Sequence, residues 1–195
     1  ELELPLISPR STGPVVAVPP GNVVAVVPAR GGEPEPVTPV GEGARQPDWR
    51  PDGRALLVTG VGGIFELGVD RTGMPKWTLR RVLGAYRGVS PTYSPDGRRV
   101  AYVAALADIV VGDRRATRPQ LVMDLVDGRE PLEVDWSSRD RLAVAAGGAI
   151  YVVTPRGKIV REVISALPTA AMPAWSPDGR RIAYTQLNPR PGEGV

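Results

Sequence analysis

The chain contains no cysteine and no histidine. Without cysteine there are no disulfides, thiolate metal sites or thiol nucleophiles. Without histidine, a Ser-His-Asp triad, a histidine-ligated zinc site and imidazole acid–base chemistry are excluded within these 195 residues. Phenylalanine occurs once and lysine twice, at Lys76 and Lys158, so nearly all of the 24 cations are arginine. No stretch approaches the roughly 18 consecutive apolar residues of a membrane span, and no basic segment followed by an apolar one opens the chain. The expectation is that any signal or anchor has been removed or was never present, and that this chain does not insert directly into a membrane.

What is present favours strands. Apolar residues make up 42% of the chain, led by valine, while 23 Gly and 22 Pro supply turn residues throughout. β-Branched side chains pack well on pleated sheets and lose rotamer freedom in helices. An all-β domain with many turns follows. The formal net charge is +3. The arginines are spread along the sequence rather than gathered in the stripe of a nucleic-acid binder, so no nucleic-acid partner is expected.

A repeat organises the chain. Pro47–Arg54, Pro91–Arg98, Val134–Arg141 and Pro173–Arg180 align on an aromatic followed by a Ser-Pro-Asp-Gly-Arg-like turn, and each leads into an apolar stretch. A degenerate copy around Ile7 precedes them. The anchors Ile7, Trp49, Tyr93, Trp136 and Trp175 lie 42, 44, 43 and 39 residues apart. About 42 residues is the size of a four-stranded propeller blade. Within each unit, apolar runs separated by Pro-Gly, Gly-Gly or Pro-Arg-Gly turns read as four antiparallel strands. The units span approximately residues 1–45, 46–89, 90–131, 132–171 and, in part, 172–195, within a single domain over 1–195.

The run Trp175-Ser-Pro-Asp-Gly-Arg-Arg-Ile-Ala-Tyr184 resembles the repeat of TolB-type β-propellers, found also in oligopeptidase propellers and in envelope lipoproteins of the LpqB type. The resemblance implies an all-β propeller of four-stranded antiparallel blades, about four and a half of them, as part of a larger propeller. The copy near Ile7 lacks the aromatic and the Asp-Gly turn. The fourth replaces Pro-Asp-Gly by Ser138-Arg-Asp140 with one residue missing.

The recurring Asp52, Asp96 and Asp178 invite a metal or catalytic reading. The structural alternative is an Asx-turn beside a glycine in the left-handed region. Trp49, Tyr93, Trp136 and Trp175 read as wedges between blades, the alternative being exposed stacking platforms. Just before the anchors, Asp48, Thr92 and Asp135 occupy equivalent positions, with Ala174 and Leu6 completing a ring. They are either solvated residues beside a channel or a site for a cation or basic peptide. Loops between successive units place Arg45, Tyr86, Arg87 and Arg129 on one face, suited to a protein or peptide partner bearing carboxylates, the alternative being ordinary solvated loop residues; Trp77 offers either a second contact or cover for a neighbouring blade. Catalytic residues, metal ligands and cofactors are not expected.

The function expected from the resemblance and from these absences is a non-enzymatic protein- or peptide-binding scaffold of the bacterial cell envelope, outside the cytoplasm. The alternative is the non-catalytic propeller of a larger oligopeptidase-like hydrolase, gating substrate access.

Overall fold

The computed structural model describes residues 15–17, 22–76, 81–86, 88–104, 108–115, 117–123, 131–164 and 169–187. Apolar runs become strands and the Gly- and Pro-rich segments become turns. The first sheet is β1 (Val15–Ala17), β2 (Ala25–Val27) and β3 (Glu35–Pro36). The second is β4 (Arg45–Trp49), β5 (Ala55–Gly60) and β6 (Gly63–Val69), with β7 (Pro75–Lys76) and β8 (Arg81–Tyr86) both paired to β6 as two pieces of one outer strand. The third is β9 (Val89–Tyr93), β10 (Arg99–Val103), β11 (Ile109–Asp113) and β12 (Gln120–Met123). The fourth is β13 (Pro131–Trp136), β14 (Leu142–Ala146), β15 (Ala149–Val153) and β16 (Ile159–Ile164). A hairpin, β17 (Thr169–Trp175) and β18 (Ile182–Leu187), follows.

Every pairing is antiparallel and follows chain order, so each unit is a meander, as the repeat implies. Among the described residues there is no helix. Ile7 and Leu6 lie outside them, as do Trp77, Arg87 and Arg129.

Period-two alternation gives each sheet two apolar faces. On β5, Leu56 and Val58 turn toward the first sheet and pack with Val24, Val26, Trp49 and Leu67, whereas Leu57 turns the other way toward Tyr93, Val100 and Tyr102. On β10, Ala101 and Val103 face the fourth sheet and meet Val134, Trp136, Leu142 and Val144. The core is therefore a series of layers between successive sheets. Trp49, Tyr93 and Trp136 each face the sheet before their own, at 5%, 1% and 0% exposure. They are wedges, and burial rules out stacking platforms.

β4 packs on β9, β9 on β13 and β13 on β17, so the anchor strands are mutual neighbours. The remaining strands of each sheet step away from that row. Strand order then fixes two ends. Turns between the first and second strands and between the third and fourth lie at one end, here the turn end. Second-to-third turns and the links between sheets lie at the other, the connection end.

The Asp-Gly turns close as Asx-turns. Asp52, Asp96 and Asp178 accept from the N–H of Arg54 (2.9 Å), Arg98 (3.0 Å) and Arg180 (3.1 Å). Gly53, Gly97 and Gly179 take φ of 69°, 67° and 64°. A side-chain hydrogen bond, from Arg50, Ser94 and Ser176 respectively, is the main cause holding each carboxyl below its ordinary pKa. In the shortened fourth copy Asp140 occupies the glycine position at φ 56°, and its N–H still bonds the Ser137 carbonyl at 3.2 Å. The turn survives the missing residue.

Positive φ and close approach are separable. A Cβ at Gly53 would meet nothing within 4 Å, whereas one at Gly157 (φ +90°) would lie 2.6 Å from the Val122 carbonyl oxygen of the preceding sheet. Gly53→Ala is expected to cost about 1 kcal/mol, the strain of a left-handed alanine. Gly157→Ala should cost about 2 kcal/mol more, because backbone has to move. Denaturant unfolding of the two variants measures the difference.

Candidate functional site

The site residues fall into two groups. Asp48, Thr92 and Asp135 lie on β4, β9 and β13, each immediately before an anchor. The Asp48 carboxylate accepts from the N–H of Tyr93 at 2.8 Å, and the Asp135 carboxylate from the N–H of Trp175 at 2.6 Å. Each aspartate thus reaches from its own innermost strand to the backbone of the next. Asp48 is buried, 8% exposed, so it is not a solvated channel residue. Thr92, equivalent by position, is 2% exposed, and its hydroxyl has no partner among the described residues.

A second row three residues before the anchor repeats the arrangement, and sequence reading missed it. The Gln46 side-chain oxygen accepts from the N–H of Ser90 at 3.0 Å and from the Thr59 hydroxyl at 3.0 Å. The Glu133 carboxylate accepts from the N–H of Met172. Gln46, Ser90 and Met172 all have φ 52°, and ladder registers shift between Arg45 and Asp48 and between Ala171 and Ala174. A bulge in the innermost strand turns these N–H groups away from their own ladder toward the neighbour. The findable signal was a polar residue three places before Trp49, Tyr93 and Trp136, where Gln46, Ser90 and Glu133 stand; before Trp175 the position is Met172.

Between the second and third sheets a buried polar cluster adds a third tie. The Tyr93 hydroxyl donates to Glu66 at 2.7 Å, and Glu66 also meets Arg114 at 3.3 Å and Arg50 at 3.8 Å. Glu66 is 5% exposed. Two guanidinium groups offset the cost of burying its charge. Burial, more than the nearby carboxylate, pushes the Tyr93 hydroxyl far above the ordinary tyrosine range.

The second group lies at the connection end. Arg45 is exposed and pairs in the ladder with Thr59, while Tyr86 ends β8 opposite Gly63. They therefore lie in adjacent rows of the second sheet, Arg45 with Thr59 and Ile64, and Tyr86 with Gly63 and Gly60. Two side chains not expected there join them: Val40, 85% exposed, and Val61, 65% exposed. Val61 donates its N–H to the Glu42 carbonyl at 2.8 Å, which fixes the hairpin tip against the link from the first sheet. Arg87 and Arg129 cannot be placed with them. Elsewhere, a cleft of about 350 Å³ lies between the fourth sheet and the last hairpin, lined by Ile150, Val152, Trp175, Ile182 and Tyr184.

No family model matches the chain. Over 139 residues, 65% of its length, it is 28% identical to a protein TolB homolog of Chlorobium luteolum. It spans 29% of that protein. Among solved structures it is similar to the β-propeller domain of Myceliophteria thermophila Cps50 (Swd1), with a TM-score of 0.68 over 92% of this chain and 60% of the other, at 13% identity. The fold is a β-propeller. Its sheets are blades, its anchor strands are the innermost strands, and its repeat resembles that of TolB. The inner-strand bonds join blade to blade.

Asp48→Ala is expected to lower stability by about 2 kcal/mol by leaving the Tyr93 N–H unpaired, while Thr92→Val should be neutral or stabilise by up to about 1 kcal/mol. Denaturant unfolding separates them. Glu133 gives a pH test. Burial raises its pKa against the opposing Met172 N–H, so its contribution is full at low pH and lost as pH rises through the folded value. Glu133→Gln, which copies Gln46, should exceed the parent in stability at pH 8 by up to about 1 kcal/mol. The gap should close near pH 4, as followed by thermal unfolding across pH.

Proposed function

We propose that this β-propeller is a non-enzymatic module that binds a protein or peptide through its connection end, in the bacterial cell envelope outside the cytoplasm. The observation that carries the reading is the pair of exposed valines, Val40 and Val61, beside exposed Arg45 on a blade tied to its neighbour through buried side chains. An apolar contact flanked by a guanidinium suits a partner that presents an apolar side chain next to a carboxylate. Tied blades hold the loops in place, so little ordering has to accompany binding. The envelope setting is supported by similarity to the TolB homolog, and the non-enzymatic role by the absence of histidine and cysteine.

A photo-crosslinking residue at position 61, exposed to bacterial envelope extract, tests the reading. One dominant protein adduct is expected, competed away by unlabelled protein but at least tenfold less well by protein carrying Arg45→Ala and Val40→Ser. A crosslinker at Arg71, at the opposite end, should not give that adduct. Equal competition by parent and variant would exclude this contact. Adducts confined to a hydrolase domain would favour a substrate-gating propeller instead.

A further inference from the structure

Arginines scattered along the sequence converge in the fold. The turn ends of successive blades lie side by side because their turns touch. A Cβ at Gly97 would lie 3.1 Å from Arg50, Arg99 pairs with Asp140 at 2.9 Å, and Ser138 and Arg139 donate to the carbonyls of Pro177 and Asp178 at 2.8 Å. Between strands, and with the β2–β3 turn of the first sheet at this end because β3 runs directly into the link to β4, the described residues here include fourteen cations and six carboxylates, a surplus of eight. The described links and turns at the connection end hold Glu42 and Asp108 and no cation. A net charge of only +3 conceals this separation.

Asp52, Asp70, Asp96 and Asp178 are occupied with their own turns, whereas many arginines have no ion-pair partner among the described residues. Arg54, Arg71, Arg98, Arg115, Arg156 and Arg180 are exposed and enter no ion pair among the described residues. They come from the second, third and fourth blades and the last hairpin.

We propose that the turn end docks on an anionic phospholipid surface. Six arginines on short turns of four successive blades meet phosphate groups together only on a broad target, and the guanidinium fork matches phosphate. The turns contain no Trp, Tyr or Phe to stack on bases, and no helix to lie in a duplex groove. Among the described residues no helix is long and apolar enough to cross a membrane. Lipid and the proposed protein partner occupy opposite ends of the blades, so either reading stands without the other.

The test is co-sedimentation of the whole chain with vesicles of phosphatidylcholine, with or without about one-third phosphatidylglycerol. Binding is expected only to the anionic vesicles and should weaken as salt rises. Each arginine near such a surface is worth about fivefold. The triple variant Arg54→Gln, Arg98→Gln, Arg180→Gln should therefore lose on the order of 100-fold, and Arg45→Gln at the connection end should lose nothing. A second triple variant on other turns, Arg71→Gln, Arg115→Gln, Arg156→Gln, should show the same loss, which guards against a folding defect in the first. No binding to anionic vesicles at low salt overturns the proposal. So does parental affinity in both triple variants, or tighter binding to duplex DNA than to vesicles at equal phosphate.

Discussion

An innermost propeller strand is an edge strand, and its outward N–H groups need acceptors that its own sheet cannot provide. Here the acceptors come from the preceding blade, as Asp48 and Gln46 serve Tyr93 and Ser90, while Asp135 and Glu133 serve Trp175 and Met172. One set of bonds thus satisfies the edge and couples the second blade to the third and the fourth to the last hairpin. The bulge matters as much as the side chains do. Without the left-handed residues Gln46, Ser90 and Met172, the N–H groups of the second row would point along their own ladder rather than at the neighbour.

The interface between the third and fourth blades is built differently. Thr92 stands where the second and fourth blades have aspartate, and its hydroxyl has no partner among the described residues. The tie moves outward to the turn. Asp140 accepts from Arg99 at 2.9 Å and from the Trp136 indole at 3.0 Å, and the Arg99 guanidinium lies 4.8 Å from the centre of the Trp136 ring. Charge-assisted hydrogen bonds and a cation–π contact replace the inner bond. The irregular fourth turn is therefore part of the frame, since losing one residue brings a carboxylate to the glycine position.

A frame tied along its innermost strands leaves both ends free to differ. At the turn end, short Asx-turns repeat from blade to blade, and each carries its own aspartate and one or more arginines. At the connection end, links vary in length and bring forward Val40, Val61 and Arg45. The two ends consequently present different chemistry, cationic on one and mixed apolar and polar on the other. Loops held by a rigid scaffold are where binding residues concentrate.

By itself, the sequence determined the blade period, the antiparallel meander, the Asp-Gly turns and the wedge role of the aromatic anchors. These depend on local chemistry: strand alternation, the left-handed tolerance of glycine, and an aspartate within reach of its own backbone. Its chemical exclusions, drawn from missing histidine and cysteine, are equally local. The tertiary structure alone decided what Asp48, Asp135, Gln46 and Glu133 do, because their partners lie about 40 residues away on the next blade. It also decided that arginines with no pattern along the chain share one end, because antiparallel strand order sends alternate turns to the same side.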